Sequence, residues 1–589
     1  MQRTQLLGDQ IETDVVVFGS GAAGMTAALV ASLQGFDVLL CEKAPVLGGT
    51  TAISGGEIWI PGSRHAREAG LDASVETAAT YWEAEAGDAA TRAMRAAYLA
   101  SGAQAIDYLE AHTEVRFRAV APHPDYHQDL PGASAGGRPL ATLPFDGRRL
   151  GADFGILRSP RKDFMVLGGM MVSRDDIAQL LRPFASWRNF SGAARLVARH
   201  ARDRLRHSRG TRLVLGNALV ARMLVSLRAR RVRIECTAAL VELVREDDRI
   251  VGAIVMMSGR AVHVRARRGV VLATGGFARN ETLRERYMSG LPVRDALCVD
   301  ADVGDALVAA TAVGADVDRR MQTPAYWMPA SVMSWQNGER VVFPHIRDRA
   351  KPGLIAVNRA GCRFTNESAS YHDFSLALFE EERKGHALPA YLVCDRRFIR
   401  EHGIGIIKPR WNRLAPFIAA GYLVRGRDAD DLARQIGVDP RGLAVTLLDY
   451  NAAARAGADP VFGKGGTVYN RHYGDPAQQP NPCLRPLEGP PYFAVAVRPA
   501  PIGTAVGLRI DADANVQDTG GMPLRGLYAC GNDMASLTRG AYPGPGSTIG
   551  PAIVFAYRAV QHMARDAGAT PVSDTHPVAA ADPLRVHGA

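Results

Sequence analysis

The chain has 589 residues, 47% of them hydrophobic and 22% charged, which is typical of a globular protein with two or more domains. No apolar run reaches the roughly 20 residues of a membrane-spanning helix, and the N-terminus lacks the apolar core of a secretory signal. The seven cysteines are scattered without a Cys-x-x-Cys pair, so we expect reduced thiols, a cytoplasmic location and no metal site.

The first motif along the chain predicts a dinucleotide-binding unit. Continuous apolar runs at residues 14–18 and 36–41 indicate two buried parallel strands, and the second ends on an acid. Between them, a G-x-G-x-x-G turn opens a helix over residues 25–34. Its glycines let backbone N–H groups approach a pyrophosphate, and the acid can accept hydrogen bonds from ribose hydroxyls. The cofactor-binding residues predicted from this unit are Gly19, Ser20, Gly21, Ala22, Ala23, Gly24 and Glu42.

A second loop of small residues follows directly, over residues 43–56. Its pattern, E-K-x-x-x-x-G-G-x-[ST]-x-x-[ST]-G-G read from Glu42, resembles the flavin loop of the fumarate reductase/succinate dehydrogenase flavoprotein superfamily. The resemblance implies that the cofactor is FAD. It also implies noncovalent binding, because the loop holds no counterpart of the histidine that carries FAD in succinate dehydrogenase-type members. The FAD-binding residues implied here are Lys43, Gly48, Gly49, Thr50, Thr51, Ser54, Gly55 and Gly56.

An arginine-rich segment between residues 182 and 233 carries much of the net charge of +10, with few acids to balance it. Within it, residues 190–206 have apolar side chains at helical spacing, which predicts a basic amphipathic helix. Such a helix can lie on an anionic membrane surface, and a solvated surface helix is the alternative interpretation. Nucleic-acid binding is not expected, because no recognition module accompanies the charge.

Residues 231–257 read as alternating strands with a turn at Asp247 and Asp248, which predicts a β-meander. A buried strand at residues 270–273 then enters a Gly-Gly turn that resembles the end of the superfamily's flavin domain. By the same resemblance, the backbone near residue 240 meets the adenine and the Gly-Gly turn contacts FAD. The residues implied are Leu240, Val241, Thr274, Gly275 and Gly276.

Residues from about 325 to 494 carry no flavin motif and are expected to form an inserted capping domain. The stretch 322–329 lacks the His-Pro pair with which fumarate reductases bind a dicarboxylate. Its aromatic and methionine side chains suit a bulky apolar ligand better than two carboxylates. Ordinary core packing remains an open interpretation for Trp327 and Met328.

The C-terminal part returns to the flavin domain. Residues 526–533 resemble the superfamily's late G-L-Y-A-x-G-[ND] strand, whose acidic end approaches the ribityl chain. The turn Tyr542-Pro-Gly-Pro-Gly546 then places a phenol before small residues that open a helix. A phenolic O–H and a backbone N–H can converge there on one carbonyl oxygen and stabilise an enolate. The FAD-binding residues expected in this part are Gly531, Asn532, Asp533, Ser547, Thr548 and Ile549.

Three tyrosines and a glycine, in their order and separation, resemble those of the 3-ketosteroid Δ1-dehydrogenases. Tyr126 precedes a Pro/Gly loop, Tyr371 follows an N-x-x-G-x-R-F-x-[ND]-E turn, and Tyr542 and Gly546 lie in the Y-P-G-P-G turn. The resemblance covers nearly the whole chain and implies FAD-dependent 1,2-desaturation of a 3-ketosteroid or a similar bulky apolar ketone. Tyr371, helped by Tyr126, would take the C2 proton, flavin N5 the C1 hydride, and Tyr542 with the Gly546 N–H would hold the C3 ketone. A hydrogen bond from Tyr126 is expected to favour the phenolate of Tyr371.

Other functions stay open from the residues. The superfamily also contains 3-keto-5α-steroid Δ4-dehydrogenases and fumarate reductase-like enzymes that act on an α,β-unsaturated acid. A flavin-binding, membrane-associated protein without turnover is a third alternative. No second cofactor motif is visible, so we expect electrons to leave to a diffusible acceptor such as a quinone.

Together the motifs predict an α/β fold with a discontinuous, Rossmann-like FAD-binding domain and an inserted α+β capping domain. The predicted parts are 1–324 for the first FAD-binding segment, 325–494 for the capping domain and 495–589 for the second FAD-binding segment. An arginine-rich helical insertion is expected at about 185–235. The tail after about residue 568 is expected to be disordered.

Overall fold

The computed structural model describes residues 9–566 of the chain, so the tail expected to be disordered lies outside the described residues. The strands are β1 (Asp9–Phe18), β2 (Val38–Glu42), β3 (Glu57–Trp59), β4 (Phe117–Ala119), β5 (Pro139–Thr142), β6 (Phe145–Asp146), β7 (Met165–Val166), β8 (Met170–Met171), β9 (Arg212–Leu213), β10 (Arg233–Cys236), β11 (Ala238–Glu246), β12 (Arg249–Met257), β13 (Arg260–Leu272), β14 (Val317–Asp318), β15 (Ala325–Ser334), β16 (Arg340–Pro344), β17 (Leu354–Val357), β18 (Ala390–Asp395), β19 (Val424–Gly426), β20 (Tyr492–Thr504), β21 (Gly507–Leu508), β22 (Asn515–Gln517) and β23 (Pro523–Ala529).

The α-helices are distributed between these strands. They are α1 (Ala22–Leu33), α2 (Arg64–Glu68), α3 (Val75–Ala86), α4 (Arg92–His112), α5 (Arg174–Leu181), α6 (Trp187–Arg204), α7 (Leu215–Ala229), α8 (Glu281–Tyr287), α9 (Asp305–Ala312), α10 (Tyr371–Arg383), α11 (Arg396–His402), α12 (Ala415–Ala419), α13 (Ala429–Ile436), α14 (Pro440–Ala456), α15 (Val468–Tyr473) and α16 (Ile549–Asp566).

The larger sheet has the parallel core that the first motif predicts. β1 pairs in parallel with β2 and β13, and β13 pairs in parallel with β23 from the C-terminal part of the chain. The halves of β1 and β13 over residues 15–18 and 269–272 are buried, and α1 and α16 pack against β13 and against each other. The discontinuous, Rossmann-like part of the predicted fold is therefore confirmed.

The expected meander over residues 231–257 is only partly correct. β11, β12 and β13 do form consecutive antiparallel pairs, with the turn at Asp247 and Asp248. β10 instead leaves the meander and pairs in parallel with β2, with Arg233 opposite Leu39. The reason is that β2 ends the parallel core and offers an unpaired edge, which β10 covers.

A second sheet, of six strands, forms the inserted part of the fold. Its order is β16-β15-β20-β18-β17, with β19 also pairing to β20. Both faces are buried: Leu354, Leu392 and Phe493 pack in one core cluster, and their neighbours along the strands pack in another. Helices α10 and α13 pack on this sheet, which confirms an inserted α+β unit. The predicted boundary at residue 494 falls inside β20.

The arginine-rich segment divides into a surface part and a core part. α6 matches the predicted amphipathic helix and exposes most of its side chains. α7 is mostly buried and packs on α1, so the second half of the segment belongs to the core of the FAD-binding unit rather than to a peripheral insertion. Across residues 9–566, no helix combines the length and apolar character needed to cross a bilayer.

Candidate active site

The turn between β1 and α1 requires glycine at two positions. Gly19 has a φ of +101°, and a Cβ on it would lie 2.1 Å from the carbonyl oxygen of Ala273. A Cβ on Gly24 would lie 1.8 Å from the carbonyl oxygen of Gly19. The chain can therefore turn tightly from strand to helix, and the first residues of α1 line a long cavity.

Glu42, at the end of β2, is held by the same turn. Its carboxylate accepts hydrogen bonds from the Ser20 N–H at 3.0 Å, from Ser20 Oγ at 2.5 Å and from the Ala44 N–H at 2.8 Å. The residue is buried and lines the cavity. A carboxylate is thus fixed beside the N-terminus of α1, where a ribose hydroxyl can bind.

Two aspartates that sequence reasoning missed also line this part of the cavity. Asp305 accepts a hydrogen bond from Lys43 Nζ at 2.6 Å, and Asp302 accepts one from Thr50 Oγ1 at 2.7 Å. Burial raises the pKa of Asp302 to about 8, and the nearby carboxylate of Asp533 adds to the increase. These pairs join residues 262 and 252 positions apart, so no local motif could have predicted them.

Asp533 holds the Gly-Gly turn that follows β13. Its carboxylate accepts hydrogen bonds from the backbone N–H groups of Thr274 and Gly276 and from Thr274 Oγ1. Burial raises the pKa of Asp533 to about 6, although these hydrogen bonds oppose the shift. Thr274 and Gly275 line the cavity, whereas Asp533 stabilises their backbone.

The cavity presents backbone donors that have no partner in the described part of the chain. Within residues 9–566, the N–H groups of Gly21, Gly49 and Thr50 donate to no protein acceptor, and all three residues line the cavity. Unpaired donors at the N-terminus of a helix form a phosphate-binding site. Together with Glu42, these groups fit a dinucleotide such as FAD.

Most of the residues predicted to bind FAD meet at this one cavity. Those that line it are Gly19, Ser20, Gly21, Ala22, Ala23, Glu42, Lys43, Gly49, Thr50, Thr51, Ser54, Gly55, Gly56, Leu240, Thr274, Gly275, Gly531, Asn532, Thr548 and Ile549. Those that do not line it are Gly24, Gly48, Val241, Gly276, Asp533 and Ser547. Of the latter, Val241 is 52% exposed, because alternate residues of β11 point to opposite faces.

The cavity extends to three tyrosines brought together from distant segments. Tyr126 follows β4, Tyr371 is the first residue of α10, and Tyr542 precedes α16. The Tyr126 hydroxyl donates a hydrogen bond to the Tyr371 hydroxyl at 3.1 Å. The ring of Tyr542 lies 5.7 Å from that of Tyr126 and 5.5 Å from that of Tyr371. The structure therefore joins the three predicted tyrosines in one buried cluster.

Gly546 lies beside this cluster in a conformation that favours glycine. Its φ is +91°, and a Cβ on it would lie 2.5 Å from the backbone of Ile58. Its carbonyl oxygen accepts hydrogen bonds from the N–H groups of Trp59 and Gly550. Its own N–H donates to no acceptor in the described residues, and the residue lines the cavity.

Burial raises the pKa of each of the three tyrosines above the ordinary value near 10. For Tyr371, the hydrogen bond from Tyr126 acts in the opposite direction, as expected from the sequence. Desolvation is nevertheless the larger cause, so the pKa of Tyr371 is raised rather than lowered. At neutral pH the side chain is a neutral phenol.

The wall beside the tyrosines is apolar and comes from both parts of the fold. Met328, which the sequence left open, lines the cavity, whereas Trp327 packs on Phe379 and donates through Nε1 to Thr323 Oγ1. Trp327 is therefore a core residue. The apolar residues of this wall are Phe164, Leu297, Met328, Pro344, Ile346 and Ile502.

Three polar residues of the same wall were also missed from the sequence: Glu57, Arg161 and Tyr473. Burial raises the pKa of Glu57 to about 7. Glu57 directly follows the Gly55-Gly56 pair of the second loop, so its position in the sequence could have identified it as a cavity residue. Arg161 and Tyr473 lie outside any motif and reach the cavity only through the fold.

Comparison with known proteins finds relatives over nearly the whole chain. A family model for an FAD binding domain matches residues 14–549. The chain is 37% identical over 575 residues to a 4-oxocyclohex-2-ene-1-carboxylate 5-dehydrogenase of Sinomonas cyclohexanicum, covering 97% of this chain and 96% of that protein. It is 34% identical over 570 residues to a 3-oxosteroid 1-dehydrogenase of Mycobacterium tuberculosis, covering 95% and 99% respectively.

A solved structure is similar over the same extent. The 3-ketosteroid delta1-dehydrogenase from Sterolibacterium denitrificans, in complex with 1,4-androstadiene-3,17-dione, superposes with a TM-score of 0.88 and 35% identity. The match covers 94% of this chain and 100% of that one. FAD is thus the cofactor, and the protein is an FAD-dependent oxidoreductase of the 3-oxosteroid 1-dehydrogenase type. The chain belongs to the FAD binding domain family, alongside the 3-ketosteroid Δ1-dehydrogenases.

Proposed function

We propose that the protein introduces a double bond next to a ring ketone, as in the 1,2-desaturation of a 3-ketosteroid. The observation that carries the proposal is the hydrogen-bonded pair Tyr126–Tyr371 beside Tyr542 and the unpaired N–H of Gly546. All four residues line the cavity that holds the dinucleotide-binding turn. Relatives named for ring-ketone dehydrogenation, on a steroid and on a cyclohexenone carboxylate, support the same reaction class.

Two donors are suited to hold the ketone. The Tyr542 hydroxyl and the Gly546 N–H are four residues apart on one rigid turn and line the same cavity. As the α-proton leaves, negative charge develops on the ketone oxygen, and preorganised donors in a water-poor site stabilise it strongly. This pair makes the α-proton acidic enough to be removed.

Tyr371 is suited to take that proton. Its hydroxyl accepts a hydrogen bond from Tyr126, which favours the phenolate; once Tyr371 has released its proton to solvent, the phenolate can take the α-proton of the substrate. The raised pKa of Tyr371 makes its phenolate a strong base once formed. Bound FAD would supply the acceptor for the hydride of the β-carbon. We propose that a diffusible acceptor such as a quinone then removes the electrons.

Two alternatives use the same fold. A 3-keto-5α-steroid Δ4-dehydrogenase would bind the ketone through the same donors. It would bring a different carbon of the steroid next to the base. A fumarate reductase-like enzyme would need a site for two carboxylates, and the apolar wall at Leu297, Met328 and Ile502 disfavours it. Product identification separates the two steroid reactions, and fumarate-dependent oxidation of the reduced flavin would support the third.

Anaerobic titration tests the proposal. We expect 4-androstene-3,17-dione to bleach the flavin absorbance and to yield the 1,4-diene. Tyr542→Phe should lower the rate of flavin reduction by about 10²–10³-fold, because one ketone donor is lost, while FAD content stays that of the wild type.

Tyr326→Phe is the matched control. The Tyr326 hydroxyl bonds to Ser536, and its ring packs on Tyr542, so this variant tests packing without removing the ketone donor. Absence of bleaching with every ring ketone tried, or equal rates in Tyr542→Phe and the wild type, would contradict the proposed reaction.

We further propose that α6 brings the enzyme to an anionic membrane surface. Phe184, in the turn before the helix, and Trp187, its first residue, are 86% and 79% exposed, and both rings stack on Phe190. Arg188 adjoins this aromatic group in the sequence, and further arginines follow along the same helix. Aromatic side chains with basic neighbours suit the boundary between lipid headgroups and acyl chains, where a quinone is also available.

A further inference from the structure

A cluster of mainly basic side chains lies beside the cavity-lining Tyr473. We call it the Arg174–Arg347 cluster; it comprises Glu57, His123, Arg174, Arg347 and His472. Glu57 lines the cavity itself, and Arg347 directly follows the cavity-lining Ile346. The cluster therefore adjoins the same cavity as the tyrosines.

Short contacts connect the cluster to Tyr473. Its hydroxyl lies 3.4 Å from His123 Nε2, and the guanidinium of Arg347 lies 5.9 Å from its ring. The rings of His123 and His472 stack at 5.1 Å, and Arg174 Nη1 lies 2.8 Å from His472 Nε2. These contacts place two exposed guanidinium groups beside the cavity-lining Tyr473, although neither arginine lines the cavity itself.

The two arginines lack the counter-ions that other arginines of the site have. Neither Arg174 nor Arg347 has a carboxylate oxygen within 4.0 Å among residues 9–566. Arg161, which also lines the cavity, is paired with Asp163 at 3.1 Å. The two arginines are close enough that the charge of Arg347 helps to lower the pKa of Arg174.

The other members of the cluster do not neutralise this charge. Burial and the two arginines lower the pKa of His123 to about 3 and that of His472 to about 2, so both histidines are neutral at pH 7. Glu57 is the one acid of the cluster, and its nearest contact there is His123 Nδ1 at 3.5 Å. The cluster is therefore net positive.

Aromatic rings link the cluster to the ketone-holding end. The ring of Tyr126 lies 4.8 Å from that of Tyr469, which lies 5.5 Å from that of Tyr473. Tyr126, Tyr473 and Tyr542 line the cavity, whereas the buried Tyr469 does not, so a ligand that contacts Tyr542 with one end can extend past Tyr126 toward Tyr473. The positive cluster lies beside Tyr473.

We propose that Arg174 and Arg347 bind an anionic group of the substrate, so that the enzyme acts preferentially on a ring ketone that bears a carboxylate. This inference rests on the proposed ring-ketone dehydrogenation. A carboxylate between the two guanidinium groups would relieve their mutual repulsion and satisfy their donors. Such a carboxylate can come from a short ring acid or from the side chain of a steroid acid.

Paired substrates test the inference. We would compare 4-oxocyclohexane-1-carboxylate and 3-oxochol-4-en-24-oic acid with their methyl esters and with neutral 4-androstene-3,17-dione, using the intact FAD-loaded enzyme. In the wild type, at least one acid should have a KM about tenfold or more below that of its ester. The acid that shows the difference identifies the distance between ketone and carboxylate.

Substitutions then locate the effect. Arg174→Gln and Arg347→Gln should each raise the KM of that acid by about tenfold or more, with little change in its kcat or in the KM of the esters and the neutral steroid. Arg260→Gln, at an exposed position with no ion pair in the described structure, is the matched control. Acids that show no advantage over their esters, or acid KM values unchanged in both variants, would overturn the inference.

The outcomes for the two proposals can be told apart. Oxidation of the neutral steroid without preference for an acid would refute the anionic subsite and leave the proposed reaction intact. Failure to oxidise any of these ketones would refute the proposed reaction itself.

The pH dependence gives a second readout. The groups around Glu57 are His123, Arg174, Arg347, Arg118, Tyr473 and Tyr542. Above pH 7 the Glu57 carboxylate is charged and repels an anionic substrate, so the KM of the acid should rise with pH through about 7. Glu57→Gln should remove this rise. A KM that falls across the same range would contradict the charge assigned to the cluster.

Discussion

At the scale of single residues, the Tyr126–Tyr371 pair connects burial with chemistry. Burial raises the pKa of Tyr371 and the hydrogen bond from Tyr126 opposes this rise. A base with a raised pKa is protonated at neutral pH, so only a small fraction is ready to accept a proton, and this fraction grows with pH. The pair therefore predicts an alkaline activity profile.

We expect the rate of flavin reduction by a ring ketone to rise with pH from 7 to 10 without reaching a plateau. Below its pKa, each pH unit should increase the phenolate of Tyr371 about tenfold. Tyr126→Phe removes the donor that favours the phenolate, so its rates should be lower and its profile displaced to higher pH. Stopped-flow absorbance at 450 nm measures both effects, after folding is verified at each pH.

Tyr371→Phe and Tyr492→Phe complete this comparison. Loss of the base should lower the rate by about 10²–10⁴-fold, whereas the partly exposed Tyr492, at the start of β20, should be replaceable without effect. A rate that is flat between pH 7 and 10 would argue against Tyr371 as the base.

At the scale of elements, α6 differs from the helices around the cavity. α1, α7 and α16 bury most of their residues, whereas α6 buries only Ala193, His200 and Asp203. A contiguous exposed apolar patch is typical of an interaction surface. The exposed aromatic residues at its start are the physical basis for the proposed membrane contact.

Vesicle sedimentation tests this contact. We expect the wild type to bind vesicles that contain phosphatidylglycerol at low salt and to be released at about 0.5 M NaCl. At that salt concentration, screening limits the range of electrostatic attraction to a few ångströms. Phe184→Ser combined with Trp187→Ser should weaken binding at both salt concentrations. Trp411→Ser, at another exposed tryptophan, is the control. Equal binding of the double variant and the wild type would exclude this face.

At the scale of the whole molecule, one charged bridge joins the segments that carry the tyrosines. His127, next to Tyr126, lies 2.7 Å from Glu85 of α3 and 2.7 Å from Asp373 of α10. The two carboxylates raise the pKa of His127 to about 11. The bridge thus ties the FAD-binding part of the chain to the inserted part immediately beside the Tyr126–Tyr371 pair.

The bridge predicts how stability depends on pH. The folded pKa of His127 is about 11 and that of an unfolded histidine is about 6.5, so its stabilisation is complete below about pH 6.5 and is lost as pH rises toward 11. The difference in free energy of unfolding between the wild type and His127→Gln should therefore be larger at pH 6 than at pH 10. Denaturant titrations measure it, with His112→Gln as control; a difference that grows with pH would contradict the bridge.

Several parts of the fold and site could be predicted because their signals are local. The turn at Gly19, the acid at Glu42 and the sequence around Tyr542 each combine residue types whose spacing dictates a conformation or a chemistry. Their placement at one cavity follows from the parallel pairing of β1, β13 and β23, which the buried apolar runs anticipated. The resemblance of the tyrosine segments to one family then supplied the reaction.

The remaining features depend on contacts between segments far apart in the chain. The pairing of β10 with β2, the burial of α7 and the bonds of Asp302 and Asp305 are decided by which edge or loop the fold brings near. The same holds for the pKa of Tyr371, because desolvation depends on all its neighbours. By itself, the sequence determined the cofactor, the fold class and the reaction type, since these rest on short patterns. Only the tertiary structure decided the protonation of Tyr371 and the charge beside the cavity, since both are sums over residues that meet only in the folded chain.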